Sequence, residues 1–341
     1  MVKKNVHQVT VLGGGSFGTV IANMIAANGY RVKLWLRDQT VATNIASCGE
    51  NSAYLPGHKL HKNVVVTTDL QTAVKGCKSL FFAVPSSAFR QLARILHQWL
   101  DADTQIISTA KGIEAGTFLL PTQVLREELP NTEVGLISGP NLAHEIADKQ
   151  ITATVVAHSD DAFCKHVQEL LVSPYFRVYT NHDQFGVELA GALKNIYAII
   201  SGITHAIGAG QNTKSVVLTR SLAEMSRLAV ELGANPLTFL GLSGIGDLYV
   251  TCNSPLSRNF RVGFALGQGK TLSQAVDEIG QVAEGVNTTR LVKKKADELG
   301  IYMPLATGLY ATLFEQNSIQ DSLKTMMLSE QNMDVDFKVK K

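Results

Sequence analysis

The chain has 341 residues, of which 45% are hydrophobic and 18% charged, with a formal net charge of +2. This is a core-rich globular composition, long enough for two domains; it excludes a disordered chain and a large nucleic-acid footprint, though a local basic patch can still hold phosphate. Cys48, Cys77, Cys164 and Cys252 form no CxxC pair and the nine histidines lack HExxH-type spacing, so neither a disulfide framework nor a protein-held metal is expected.

The N-terminal stretch MVKKNVHQVTVLGGG runs directly into a strand, with no apolar stretch of signal-peptide length before it. No run of about eighteen apolar residues occurs, which leads to the expectation of a cytoplasmic protein with no membrane segment. Gln8–Leu12 is a short β-branched apolar run. It is followed by Gly13-Gly14-Gly15-Ser16-Phe17-Gly18, a helical pattern over Thr19–Ala27, a stop at Gly29 and a second strand over Arg31–Leu36. G-x-G-x-x-G between a strand and a helix is the arrangement that binds dinucleotides. Gly13 and Gly15 allow a tight turn and the close approach of a pyrophosphate, and Gly18 lets the helix lie near the strand. The helix N-terminus offers unpaired N–H groups and partial positive charge. A glycine-rich turn with no nucleotide is the competing reading.

The second strand ends at Arg37. An acidic residue there would accept the ribose hydroxyls of NAD, whereas an arginine can hold the 2′-phosphate of NADP. Asp38 follows and could partly restore NAD binding, so NADP is favoured and NAD stays open. The alternation continues with a strand over Val64–Thr67, a short helix over Asp69–Lys75, a buried strand over Ser79–Val84 closed by Pro85, and an amphipathic helix over Ser87–Leu100. A strand over Thr104–Ser108 leads into Ala110-Lys111-Gly112. Ligands in open α/β sheets bind beyond the carboxyl ends of strands, so Lys111 is either a ligand contact or a solvated loop lysine. Glu133–Ser138 is another strand, followed by Gly139-Pro140-Asn141 and a helix over Leu142–Ala147; Thr152–Ala157 and Arg177–Thr180 end the sheet.

After about residue 181 the strand pattern stops. Val187–His205 reads as one long helix, with Leu189, Ala192, Leu193, Ile196, Ile199, Ile200 and Ile203 on a broad core face. The opposite face carries Ala190, Gly191, Ala198, Ser201 and Gly202 around Lys194 and Asn195. Small residues beside a lysine mean either a close neighbouring helix or a space for a ligand, and the lysine itself either snorkels to water or does chemistry. Further helices are read over Lys214–Leu232, Pro236–Leu240, Arg261–Gln268, Leu272–Ile279, Thr288–Leu299 and Leu305–Phe314, with a glycine-rich break at Gly241–Gly246. The expected fold is α/β: a Rossmann-type, mostly parallel sheet domain over 1–183 and an all-helical substrate domain over 184–341, with a tail after about residue 330 that is polar and poorly ordered. Lys194 falls near the join, and domain junctions favour ligand clefts.

Two helical-domain stretches carry polar residues that a core would not choose. Gly246–Cys252 places Asp247 and Thr251 in an apolar segment, and Ser257-Arg258-Asn259 brings together a hydroxyl, a guanidinium and an amide suited to an anion. Ser257 also fits a helix N-cap, and the two roles are compatible. By themselves these residues do not separate a phosphate from a carboxylate.

The chain resembles the NAD(P)-dependent glycerol-3-phosphate dehydrogenases of the bacterial soluble type. The resemblance runs from GGGSFGT at Gly13–Thr19, through ISTAKGIE (Ile107–Glu114), SGPNLAHE (Ser138–Glu145), ELAGALKNIYAI (Glu188–Ile199) and GLSGIGDLYVTC (Gly241–Cys252), to VAEGVNT at Val282–Thr288. Phe17 stands where many members carry Trp. The resemblance implies that Lys194 is the proton donor to the carbonyl of dihydroxyacetone phosphate, that Asn195 and Asp247 orient it and the substrate, and that Lys111 reaches both substrate and nicotinamide. It implies a substrate grip from Arg258 and Asn259, with Ser257, Gly139, Asn141 and Thr251 beside it. Cofactor contacts are implied for Ser16, Phe17, Arg37, Ala143, Arg258, Val282 and Glu284, in addition to the glycines. It also implies a supply of glycerol 3-phosphate for phospholipid synthesis and a homodimer, with no nucleic-acid partner. A related two-domain dehydrogenase acting on a 3-hydroxy acid, and a dinucleotide-binding sensor without chemistry, are the alternatives. Burial and a second cation would lower the Lys194 pKa and Asp247 would raise it; the sequence leaves that balance open.

Overall fold

The structure, a computed structural model, describes residues 8–280 and 283–322, so Val282 and the tail after about residue 330 lie outside the described residues. The chain divides into two compact units. One comprises the described residues through Ala110 together with Leu119–Gln184; the other comprises Lys111–Phe118 together with the described residues from Phe185 onward.

The first unit is an eight-stranded sheet built from β1 (Gln8–Leu12), β2 (Arg31–Trp35), β3 (Val64–Thr67), β4 (Ser79–Phe82), β5 (Gln105–Ser108), β6 (Glu133–Ser138), β7 (Thr152–Ala157) and β8 (Phe176–Asn181), in the order β3-β2-β1-β4-β5-β6-β7-β8. All neighbouring pairs are parallel except β6 and β7. Parallel strands need crossovers, and α1 (Ser16–Ala27), α2 (Gln39–Cys48), α3 (Leu70–Val74), α4 (Phe89–Leu96), α5 (Pro121–Glu128) and α7 (Asp161–Leu171) lie along these connections, while α6 (Ala143–Ala147) lies between the antiparallel β6 and β7. Successive residues of β1 point to opposite faces. Val9 and Val11 enter one apolar layer with Ile21, Ile25 and Phe163, and Leu12 enters the other with Leu80, Phe82 and Phe89. The chain reverses its direction of travel across the sheet between β1 and β4, where Leu12 pairs with Phe82. This is the topological switch point at which open α/β sheets bind ligands, and the glycine-rich loop leaves β1 there.

Four helices are not expected from the sequence: α2, α5, α7 and the short helix over Asp247–Asn253. The clearest is α2, whose sequence QTVATNIASC has poor helix formers and only Ala42 and Ile45 buried. Its ends hold it: the Asp38 carboxylate accepts the Thr40 and Val41 amides, and Gly49 closes it in the left-handed conformation at φ 66°. α5 begins on Pro121 and α7 on an Asp160 cap. The helix expected over Ser87–Leu100 is shorter, a 3₁₀ turn at Ser86–Ala88 followed by α4.

The second unit is helical: α8 (Gln184–Ala206), α9 (Gln211–Glu231), α10 (Asp247–Asn253), α11 (Arg258–Gly267), α12 (Leu272–Ile279), α13 (Glu284–Leu299) and α14 (Pro304–Phe314). Pro236–Leu240 is a 3₁₀ turn, and the glycine-rich break is a single π-helical turn at Leu242–Gly246 that runs into α10. α11 starts at Arg258, three residues before the expected start, because Ser257 caps it through the Phe260 amide.

The small-residue face of α8 is, at its C-terminal half, a helix contact and not a vacant space. A Cβ on Gly202 would stand 2.0 Å from the Phe260 carbonyl oxygen, and one on Gly263 would stand 1.8 Å from the Ile199 carbonyl oxygen. The backbones of α8 and α11 therefore touch, which fixes the start of α11, with Arg258 and Asn259, against α8. We expect Gly263→Ala to force the helices apart and to cost about 3 kcal/mol, the upper end of what overpacking costs; urea unfolding followed by circular dichroism measures it.

Candidate active site

α8 is buried along almost its whole length, and the Lys194 side chain is only 7% exposed. An ammonium taken out of water needs partners. Lys194 Nζ donates to Asp247 Oδ1 at 2.5 Å and to Thr251 Oγ1 at 2.5 Å. Asp247 and Thr251 are four residues apart on α10, so both present to the same point. The snorkelling alternative is thereby excluded. An ammonium has three hydrogens; two are taken, and the third has no acceptor among the described residues.

Lys111 Nζ donates to the other oxygen, Asp247 Oδ2, at 2.6 Å. Asp247 is 1% exposed. One buried carboxylate thus serves two ammonium groups, which leaves the cluster with net positive charge and a preference for an anion. Burial, outweighing the attraction of Asp247 and helped by the repulsion of Lys111, pushes the Lys194 pKa down to about 8. Cys252 is also buried on α10, which pushes its thiol up to about 12 and removes it as a nucleophile.

A chain of amides fixes the surroundings. Asn195 Nδ2 donates to the Lys111 carbonyl at 3.0 Å, Asn259 Nδ2 donates to Asn195 Oδ1 at 2.9 Å, and the Gly285 amide donates to Asn259 Oδ1 at 3.0 Å. The sequence reading did not single out Gly285. A Cβ there would meet the Asn195 carbonyl oxygen at 2.5 Å, so α8, α11 and the first turn of α13 meet at a point that only glycine permits. Ser257 turns its hydroxyl to the Phe260 amide at 3.2 Å. Arg258 stands at the first position of α11; its side chain reaches solvent, yet close packing around the guanidinium lowers its pKa, and the Glu284 carboxylate at the start of α13 opposes that shift.

The remaining predicted residues lie in the first unit. Gly13 adopts φ +112°, and a Cβ on it would lie 2.4 Å from the Ala83 carbonyl oxygen; a Cβ on Gly18 would lie 2.0 Å from the Gly13 carbonyl oxygen. Space beside Gly15 is open, and this residue starts α1 with no side chain capping the first turn. An uncapped helix start beneath an open glycine loop fits the diphosphate of a dinucleotide. Ser16 donates its hydroxyl to the Tyr54 carbonyl at 2.6 Å, and Phe17 is half-buried against the apolar layer. Arg37 is exposed, whereas one oxygen of Asp38 is engaged in capping α2. Gly139 follows β6 at φ +127°, Asn141 Nδ2 donates to Thr154 Oγ1 at 2.9 Å, and Ala143 begins α6 against the core. Among the described residues, no group of three or more His, Cys, Asp or Glu side chains is placed to hold a metal, and no helix is long and apolar enough to cross a membrane.

Comparison with known proteins gives concordant matches over both units. The family model described as the N-terminus of NAD-dependent glycerol-3-phosphate dehydrogenase matches residues 8–164, and that for the C-terminus matches residues 183–324. A glycerol-3-phosphate dehydrogenase [NAD(P)+] of Saccharophagus degradans is 53% identical over 331 residues, covering 97% of this chain and 92% of that relative. One from Pseudomonas paraeruginosa is 52% identical over 329 residues, covering 96% of each. The crystal structure of glycerol-3-phosphate dehydrogenase from Coxiella burnetii aligns with a TM-score of 0.91 at 35% identity, over 95% of this chain and 99% of that one.

The shared carboxylate makes a prediction that needs no substrate. Asp247→Ala leaves the buried Lys194 ammonium without its carboxylate and beside the part-buried Lys111, and unfolding at pH 7 should become easier by about 3–5 kcal/mol. With Asp247 gone the Lys194 pKa falls further, so raising the pH empties its charge and should return part of the loss. Chemical denaturation of wild type and variant at pH 7 and pH 9.5 tests this; a loss independent of pH contradicts it.

Proposed function

The chain belongs to the NAD-dependent glycerol-3-phosphate dehydrogenase family, and from that premise we propose that it catalyses the reversible NAD(P)H-dependent reduction of dihydroxyacetone phosphate to sn-glycerol 3-phosphate. The observation that carries this reading is the third hydrogen of the Lys194 ammonium, buried, fixed by Asp247 and Thr251, and free to be given away.

Bound at the glycine loop of the first unit, a nicotinamide dinucleotide supplies the hydride. Negative charge then grows on the carbonyl oxygen of the substrate. Lys194 stabilises that charge and delivers the proton, help of the kind that contributes about 10²–10⁴ in rate. A pKa of about 8 keeps Lys194 protonated at neutral pH yet makes its proton easier to give than that of a solvated lysine. Asp247 holds Lys194 in place and sets Lys111 beside it as a second cation. Asn195 orients the Lys111 segment and, through Asn259, joins it to α11. Arg258 and Asn259 grip the substrate phosphate, and Gly139 and Asn141 contribute further substrate contacts. Gripping the phosphate, remote from the reacting carbon, positions the carbonyl for reaction.

On the cofactor side, Gly13, Gly15 and Gly18 shape the phosphate loop, with Ser16, Phe17, Ala143, Val282 and Glu284 as further contacts. Arg37 takes the 2′-phosphate of NADP; its exposure and the engagement of Asp38 as a helix cap support a preference for NADP over NAD. The same reading makes residues 1–183 the dinucleotide domain and 184–341 the substrate domain. It extends to a cytoplasmic homodimer that supplies glycerol 3-phosphate for phospholipid synthesis, a role that rests on the family resemblance.

Lys194→Ala should lower kcat for dihydroxyacetone phosphate reduction by about 10²–10⁴ while leaving the Kd for NADPH, read from cofactor fluorescence, within about twofold. Turnover near that of wild type would assign the proton donor to another group.

A further inference from the structure

The segment between α2 and β3, residues 49–63, carries no recognisable motif. It is a built element. The Leu60 amide donates to the Gly49 carbonyl at 2.8 Å, and the Glu50 carboxylate accepts the Gly57 amide at 2.9 Å. Inside this loop the Asn51 carbonyl accepts the amides of Tyr54 and Leu55, at 3.2 and 2.7 Å. The Asn51 side chain is fully buried and turns toward the glycine loop. Its Nδ2 donates to the Gly14 carbonyl at 2.8 Å and to Thr19 Oγ1, on the first turns of α1, at 2.8 Å. Because a carbonyl can only accept, the amide NH₂ must face Gly14. Tyr54, three residues on, receives the Ser16 hydroxyl, so the same loop touches the glycine run twice.

We propose that Asn51 is a positioning residue for the cofactor. It holds the Gly14–Gly15 peptide in the orientation that presents the Gly15 N–H to the dinucleotide diphosphate. A trans peptide is planar, and its C=O and N–H point in opposite directions. With the Gly14 oxygen tied to Asn51 on the buried side, the Gly15 N–H points away from it; a Cβ on Gly15 would meet no atom within 4 Å, so the loop is uncrowded at this residue. Glycines offer little resistance to a peptide flip. If the peptide turned over, a carbonyl oxygen would face the phosphates and repel them. Gly14 itself is kept close by Leu36, against which any Cβ at this position would clash at 1.5 Å. Asn51 therefore supplies a constraint that the glycine motif lacks: the motif permits the right backbone, and the asparagine selects it.

The inference rests on the cofactor reading above, and NADPH binding to the full chain tests both. Asn51→Asp keeps the shape but replaces the donor with an acceptor facing the Gly14 oxygen. We expect the Kd for NADPH, by calorimetry or fluorescence, to rise roughly 10–100-fold, with KM for NADPH following it. The KM for dihydroxyacetone phosphate and kcat at saturating NADPH should stay within about twofold, since Lys194 and its partners are untouched. Thr19→Val removes the second acceptor and leaves the Gly14 contact, so it should lower thermal stability without weakening NADPH binding; equal weakening by both variants would mean that Asn51 serves packing alone and would overturn the proposal. If Asn51→Asp does not fold, Asn51→Ala carries the same expectation. An unchanged Kd in a folded Asn51 variant overturns the proposal, whereas a wild-type chain that does not bind NADPH overturns the cofactor reading beneath it.

Discussion

One buried carboxylate shared by two lysines organises the second unit. Asp247 binds Lys194 with one oxygen and Lys111 with the other. Removing these groups from water is unfavourable, and the arrangement persists because each charged atom meets an opposite one at hydrogen-bond distance. The geometry follows from helix positions. Asp247 and Thr251 sit one turn apart on α10, Lys194 projects from the middle of α8, and the Lys111 segment is held by the Asn195 amide. The excess of one positive charge among these three groups favours an anion beside them.

The electrostatics explain why this lysine can work as an acid. A surface lysine titrates far above neutral pH and holds its proton firmly. A buried lysine without a carboxylate would lose its charge and have no proton to give at neutral pH. Lys194 lies between these limits because burial lowers its pKa, Asp247 raises it and Lys111 lowers it again, with burial the largest of the three. Glycines hold the supporting frame close: Gly202 and Gly263 let α8 and α11 touch, and Gly285 brings α13 against Asn195. A methyl group at any of these three positions would separate helices that carry site residues.

Much of this was legible in the sequence. The G-x-G-x-x-G run between strand and helix led to the α/β class, and long motif matches pointed to the family that the comparisons place the chain in. The polar residues Asp247, Thr251 and Ser257–Asn259 stood out because an apolar segment has no use for them. What remained hidden depends on tertiary neighbours. The small face of α8 could have been a helix seat or a ligand space, and only the position of α11 decides that it is a seat at Gly202. The β-branched, polar sequence of α2 hides a helix that its caps hold. The pKa of Lys194 needed the relative strengths of burial and pairing, which spacing does not contain. Asn51 carries no motif, and its contacts to Gly14 and Thr19 bridge more than thirty residues of chain.

The most direct test of Lys194 as a proton donor tuned by burial is the pH dependence of catalysis in both directions. Reduction of dihydroxyacetone phosphate needs the ammonium, so kcat should be steady below and fall above a midpoint near pH 8; oxidation of glycerol 3-phosphate needs the free amine, so its kcat should rise through the same midpoint. Opposed profiles crossing near pH 8 are the predicted result. A reduction rate that stays flat until the ordinary lysine range, about pH 10.4, would contradict the account.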